Sequence, residues 1–111
     1  MKRIITKELL SEVLFDGKYN LYVDETVGDG NTLLVNDIEE LEISEFISIY
    51  ELVNKCKEWA YEKGYFIETK YNNISVYNYN SDTYETSIIC TYFIDVLEYE
   101  IKACQWILEN K

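Results

Sequence analysis

The sequence of 111 residues contains no histidine and no proline, and only four glycines. Histidine is the side chain that most often acts as a general base, a metal ligand or the activator of a nucleophile. Its absence excludes Ser-His-Asp and Cys-His catalysis and the zinc motifs that use histidine. No P-loop, GxSxG or HExxH pattern occurs either. We therefore expect a protein that is not an enzyme, with no catalytic residues, no metal site and no cofactor.

Cysteine is scarce and has no obvious partner. The three cysteines, Cys56, Cys90 and Cys104, give an odd number and no CxxC spacing. A disulfide framework favours an even number, and a structural zinc site needs about four ligands. Each cysteine lies within an apolar pattern, so we interpret all three as small buried hydrophobic side chains in a reducing compartment.

Long apolar runs are also missing. No stretch approaches the ~20 apolar residues that a membrane-spanning helix needs. Residues 1–5 are followed at once by polar residues, so we expect no signal peptide. Hydrophobic residues make up 48% of the chain, which argues against disorder. These features predict one cytoplasmic domain over residues 1–111.

Basic residues are few, and the formal net charge is −11. Residues 1–50 contain eleven acids against four Lys or Arg, whereas residues 51–111 contain ten acids against six lysines. Such a charge disfavours direct binding to nucleic acid or to anionic lipid. One interpretation is that acidity keeps the protein in solution. The other is a surface that imitates nucleic acid and docks on a basic groove of another protein.

Three segments have helical patterns, and the clearest is residues 48–65. Ser48 and Glu51 have the spacing of a capping box, and Gly64 is placed to end the helix. A first helix is predicted over residues 6–15, with Thr6 as its N-cap. A third is predicted over residues 96–109. The apolar stripe of the central helix is formed by Leu52, Val53, Cys56, Trp59 and Ala60.

Alternating apolar and polar residues predict strands on both sides of the central helix. Residues 19–27 and 32–35 flank a Gly-Asp-Gly-Asn turn and predict a hairpin. A short strand is predicted over residues 41–47, and residues 65–71, 74–79 and 83–93 predict a three-stranded meander. The fold class is therefore α+β, an antiparallel sheet of about five strands with about three helices packed on it.

The acids of the N-terminal half are the first candidate partner-binding residues. Five of them lie in residues 36–45, NDIEELEISE, and three lie in or beside the hairpin. A pair of carboxylates in a metal enzyme is the alternative, but nothing singles out a pair, and the hairpin acids do not match an EF-hand loop. The candidates are Asp24, Glu25, Asp29, Asp37, Glu39, Glu40, Glu42 and Glu45.

Aromatic residues give two further candidate surfaces. Tyr77 and Tyr79 share one face of a predicted strand and are candidate partner-binding residues, because tyrosine supplies rigid amphipathic contact area. The plainer interpretation is that the eleven tyrosines pave a thin sheet. In the last helix, Tyr99, Ala103 and Trp106 form a row that is either core or a surface for self-association. We favour core for this row.

Two segments resemble a pattern of small uncharacterised phage and prophage proteins. They are residues 47–65, ISIYELVNKCKEWAYEKGY, and residues 101–111, IKACQWILENK. In that pattern a short strand enters a YEL..KCKEWA..KGY helix, and a KACEWIL-type helix closes the chain. Gln105 stands where the pattern has an acid. The resemblance covers roughly a third of the chain and carries no catalytic residues.

The resemblance implies an origin in a mobile element. Phage proteins of this size and acidity resemble anti-defence proteins such as anti-CRISPR inhibitors, several of which fill the basic nucleic-acid channel of an effector nuclease with carboxylates. By this analogy we expect an inhibitor that binds a basic nucleic-acid-binding effector nuclease of the host in the cytoplasm. The alternative is a structural or regulatory phage protein that forms a homodimer.

Overall fold

The computed structural model describes residues 5–18, 21–27, 32–37, 44–70, 72–89 and 96–110. In these ranges the chain forms three helices and six strands. The helices are α1 (Lys7–Phe15), α2 (Ile49–Glu62) and α3 (Val96–Glu109). The strands are β1 (Leu21–Val27), β2 (Thr32–Asp37), β3 (Ser44–Ser48), β4 (Tyr65–Thr69), β5 (Asn73–Asn78) and β6 (Thr83–Ile89).

The contacts divide the chain into two compact units, residues 1–55 and residues 56–111. The first unit contains α1, β1, β2, β3 and the start of α2. α1 begins at Thr6, whose Oγ1 accepts the Leu9 N–H at 3.2 Å, as the sequence predicts. It ends at Asp16, which takes the left-handed conformation at φ 53°. The buried side chains Leu9 and Leu10 lie on this helix, which packs on β1.

The sheet of the first unit is antiparallel in the order β1-β2-β3. Val23 is opposite Val35 and Glu25 is opposite Leu34, so Asp24 is the extra residue of a β-bulge. This register confirms the predicted hairpin and a short strand after it. The strand is observed over Ser44–Ser48, and residues 41–43 of the predicted range lie outside the described residues. The turn at residues 28–31 lies outside the described residues.

α2 has the start and end that the sequence predicts. The Glu51 N–H donates to Ser48 Oγ at 3.1 Å, which caps the first turn. At the other end Gly64 has φ +102°, a conformation that side chains with a Cβ rarely adopt. The predicted apolar stripe of Leu52, Val53, Cys56, Trp59 and Ala60 is buried.

The second unit contains the rest of α2, a meander of β4, β5 and β6, and α3. The meander is antiparallel in the order β4-β5-β6. α3 packs on β4 and β5. The buried side chains on the inner face of this sheet and on α3 form the core of the unit: Tyr65, Ile67, Ile74, Val76, Ile101, Ala103, Cys104 and Ile107.

The α+β class, the three helices and the antiparallel meander are therefore confirmed. A single sheet of about five strands is not confirmed, because the described strands form two three-stranded sheets. Alternating apolar and polar residues indicate where strands lie in the sequence. They do not indicate which strands are hydrogen-bonded to each other. The prediction of one domain over residues 1–111 stays a prediction. In the described part of the chain, no helix has the length and apolar character to cross a lipid bilayer.

Two of the three cysteines behave as the sequence predicts. Cys56 and Cys104 are buried and free, and they lie on α2 and α3. A hydrogen bond with Cys56, together with burial, raises the pKa of the Cys104 thiol far above its usual range. Such a thiol is inert rather than nucleophilic. Cys90 lies outside the described residues.

Candidate protein-binding surface

The outer face of the meander is the face opposite the buried Ile67, Ile74 and Val76. Phe66 on β4 is opposite Tyr77 on β5, and Tyr77 is opposite Tyr84 on β6. Directly opposite residues of antiparallel strands point to the same face. The three rings therefore cross the sheet as one row, which we call the aromatic row.

A β-bulge places Tyr84 in this row. Val76 is opposite Thr86 and Tyr77 is opposite Tyr84, so Glu85 is the extra residue on β6. Without it, Tyr84 would share the inner face with Thr86, because side chains alternate with a period of two. The rings of Tyr77 and Tyr84 are 5.2 Å apart between centroids and tilted by 55°, which confirms that they share a face.

The aromatic row is largely accessible to solvent. Phe66 is 49% exposed and Tyr84 is 57% exposed, while Tyr77 is half-buried between them. Exposed aromatic side chains that are contiguous across a sheet are uncommon in proteins that do not bind a partner. The row is therefore the described feature that most resembles the centre of a protein interface.

Carboxylates hold the two tyrosines of the row in place. The Tyr84 hydroxyl donates to Glu68 Oε2 at 3.0 Å, and the Tyr77 hydroxyl donates a short hydrogen bond to Asp82. These bonds raise the pKa of both hydroxyl groups, because each carboxylate favours the protonated phenol. The rings are thus fixed before any partner arrives, which lowers the entropy lost on binding.

The ammonium of Lys70 is a cation that already binds on the outer face of the meander. It forms an ion pair with Glu68 at 3.0 Å and lies 5.8 Å from the centre of the Tyr84 ring. The hydrogen bond and charge of Lys70 lower the pKa of Glu68, and the pair raises the pKa of Lys70. A carboxylate beside an aromatic ring therefore already accepts one cation here.

A second pair of tyrosines lies where α2 turns into β4. The rings of Tyr61 and Tyr79 stack with centroids 5.0 Å apart and planes 27° from parallel. The Tyr79 hydroxyl donates to the Tyr61 carbonyl at 2.7 Å, and the Tyr79 N–H donates to the Gly64 carbonyl at 3.2 Å. Tyr79 therefore fixes both the end of α2 and the orientation of the Tyr61 ring.

A groove of about 340 Å³ lies beside these rings. It connects the end of α2 to the aromatic row, because Phe66 belongs to both. Two aromatic rings, two carboxylates, one ammonium and one buried aliphatic side chain line it. These residues are Lys57, Glu58, Tyr61, Glu62, Phe66 and Ile67.

Lys57, which lines the groove, forms an ion pair with a buried carboxylate. Its Nζ lies 2.6 Å from Oε2 of Glu100, which is only 3% exposed. Thr69 Oγ1 donates to the same oxygen at 2.5 Å. This buried acid is not predicted from the sequence, because a charged side chain is expected on the exposed face of an amphipathic helix.

The two predicted tyrosines, Tyr77 and Tyr79, make different contacts in the structure. Tyr77 belongs to the aromatic row, but β5 ends at Asn78 and Tyr79 lies in the following turn. Tyr79 stacks on Tyr61, and the assignment of Tyr77 and Tyr79 as partner-binding residues stays a prediction. Phe66 could have been found from the sequence, because it alternates with the buried Tyr65 and Ile67.

The predicted acidic residues are described only in part. Asp29, Glu39, Glu40 and Glu42 lie outside the described residues. The backbone register places Asp24 at the bulge of β1, Asp37 opposite Leu21, and Glu45 opposite Val35. Glu25 is opposite Leu34. Their assignment as partner-binding residues stays a prediction.

The row on α3 is divided between core and surface. Ala103 is fully buried, while Tyr99 and Trp106 are half-buried. The ammonium of Lys102 covers Tyr99 at 4.6 Å from the ring centre. The core interpretation is confirmed for Ala103.

Within the residues with described side chains, no group of three possible metal ligands converges on one point.

Comparison with known proteins gives no further assignment. No protein-family model matches the chain, and neither the curated proteins nor the solved structures contain a match.

Proposed function

We propose that this protein is a non-catalytic inhibitor that binds the basic, nucleic-acid-binding surface of another protein. The observation that carries the proposal is the aromatic row of Phe66, Tyr77 and Tyr84 on an exposed sheet face, whose two tyrosines are held by carboxylates. Rigid aromatic side chains supply the anchors of protein interfaces. A net charge of −11 favours a positively charged partner and speeds its association.

The resemblance to small phage and prophage proteins narrows the partner. In a phage protein, an acidic surface that occupies a basic channel would block a nucleic-acid-guided defence nuclease of the host. The protein would act in the host cytoplasm and bind in place of nucleic acid. The acids at residues 36–45 and on the first hairpin would supply carboxylates where phosphates lie.

The test is a capture experiment with a matched control. The immobilised protein is incubated with host lysate at low salt and eluted either with high salt or with a single-stranded oligonucleotide. We expect it to capture a basic nucleic-acid-binding protein that both treatments release, because the interaction is electrostatic and competitive. The captured protein, once purified, should lose nucleic-acid binding when this protein is added.

The variant Tyr84→Ser tests the aromatic row, and Tyr50→Ser is its control. Both tyrosines are 57% exposed, but Tyr50 lies on the first turn of α2, in the other unit. Loss of capture by Tyr84→Ser alone supports the proposal. Equal capture by wild type and Tyr84→Ser would show that the row is not the interface.

Self-association is the alternative if no partner is captured. In that case the half-buried Trp106 on α3 is the residue to test, because its ring has accessible area beside the buried Ala103. A homodimer in sedimentation that is lost in Trp106→Ala would favour a structural or regulatory role over inhibition.

A further inference from the structure

We infer that the groove between the end of α2 and Phe66 binds a single arginine side chain of the partner. This inference rests on the proposed function, because it assumes a basic protein partner. It adds a specific site and a specific residue type. The groove of about 340 Å³ is near the lower end of the ~300–1,000 Å³ of ligand pockets, so it suits one side chain rather than a large cofactor.

The charges of the groove favour a cation. Glu58 and Glu62 line it one helical turn apart. The positive charge of Lys57 is offset by Glu100 at 2.6 Å, which leaves the two glutamates as the uncompensated charges of the lining. The last turn of α2 itself has no basic residue, so the negative end of the helix dipole adds to the same field, and Lys63, the residue after the helix, offsets part of it.

The shape of the lining favours arginine over lysine. A guanidinium is planar, can stack on an aromatic ring and can donate to two carboxylates at once. Tyr61 and Phe66 supply the rings, and Glu58 and Glu62 supply the carboxylates. An ammonium is a more strongly hydrated point charge and matches the two rings less well.

The groove is preorganised for this ligand. The Tyr61 ring is stacked on Tyr79 at 5.0 Å, and the Tyr79 hydroxyl bonds to the Tyr61 carbonyl at 2.7 Å. A ring that is already fixed loses little freedom when a cation stacks on it. Lys70, whose ammonium lies 5.8 Å from the centre of the Tyr84 ring and pairs with Glu68, shows that a ring beside a carboxylate accepts a cation elsewhere on this sheet.

The first experiment maps binding with two small probes. Blocked arginine, N-acetyl-arginine amide, is titrated into the isotope-labelled protein and followed by amide chemical shifts. Blocked citrulline has the same shape without the charge and is the control. We expect arginine to shift the amides of Tyr61, Glu62 and Phe66 and citrulline to leave them in place. Shifts that are the same for both probes, or that lie elsewhere, would overturn the inference.

The second experiment measures affinity with a fluorescent nona-arginine peptide. The variant Glu58→Gln/Glu62→Gln removes the two groove charges. The control Glu8→Gln/Glu12→Gln removes two acids with the same spacing on α1, so both variants change the net charge equally. We expect the groove variant to weaken binding about fivefold to tenfold, as for two charge-assisted contacts, and the control less than about twofold.

The outcomes separate the groove from the proposed function. Equal weakening by both variants would show that arginine is attracted by the overall charge, which overturns the groove site and leaves the proposed inhibitor intact. Conversely, loss of host-protein capture in Tyr84→Ser with an intact groove response would support both. A ring test completes the set: Tyr61→Phe should keep peptide affinity, while Tyr61→Ala should lower it about fivefold.

Discussion

The ion pair between Lys57 and Glu100 gives a prediction about stability that can be worked from the structure. The two residues lie on α2 and α3 within the second unit. The side chain of Glu100 is 4% exposed, whereas that of Lys57 is 37% exposed. The two partners are therefore not equivalent: a lysine without its partner can turn to solvent, but a glutamate without its partner remains buried.

The asymmetry sets the expected magnitudes. Lys57→Met keeps the apolar stem and leaves a buried carboxylate with only the Thr69 hydroxyl as a described donor. Removing one partner of a buried pair costs about 3–5 kcal/mol. Because solvent already screens the exposed lysine, we expect about 2–3 kcal/mol. Glu100→Gln keeps the side-chain shape and frees the ammonium, so we expect only about 1 kcal/mol.

The assay is urea unfolding followed by circular dichroism, with the slope of the transition compared between variants to verify that the same surface unfolds. The double variant Lys57→Met/Glu100→Gln should be more stable than the sum of the single losses indicates, by about 1–2 kcal/mol, because no charge is left stranded. If Lys57→Met costs no more than Glu100→Gln, the buried carboxylate is not what the lysine stabilises, and the reasoning is wrong.

Three further predictions concern other parts of the molecule. Reversing Glu39, Glu40 and Glu42 to lysine should abolish inhibition with an unchanged unfolding curve; unchanged inhibition would remove the acidic segment from the interface. Tyrosinate absorbance should show Tyr77 and Tyr84 ionising above the ordinary value of about 10, since their pKa values are raised by Asp82 and Glu68. Stability should therefore fall as pH rises from that value through the raised pKa values, and this loss should shrink in Tyr77→Phe/Tyr84→Phe. Gly64→Ala should lower the free energy of unfolding measured in urea by about 1–2 kcal/mol, because φ is +102° and the new Cβ would meet Asn80 Nδ2 at 2.7 Å. Asp16→Ala at the end of α1, also at positive φ, is the comparison for the effect of backbone conformation.

The helix ends could be predicted to within three residues because their signals are local. Thr6 and Ser48 each cap a first turn through a backbone N–H three residues later. Gly64 ends α2 through a conformation that only its missing Cβ makes easy. Capping and glycine conformation depend on neighbours in sequence, so they can be read without the fold.

The candidate surface could be predicted only in part. The alternation around Ile67 indicates that Phe66 faces outward, and the same rule on β5 predicts an exposed Tyr77. The rule does not predict Tyr84, because the extra residue Glu85 reverses the alternation on β6. Tyr61 was also missed, since its role depends on stacking with Tyr79, eighteen residues away along the chain.

The sequence by itself determined the class of fold, the positions of the helices and the strong negative charge, because these follow from composition, short-range spacing and local caps. The tertiary structure alone decided the grouping of the six described strands into two sheets and the assembly of the aromatic row. It also decided the burial of Glu100 against Lys57. Strand register and side-chain pairing arise from contacts between residues that are distant in sequence, and neither periodicity nor propensity contains that information.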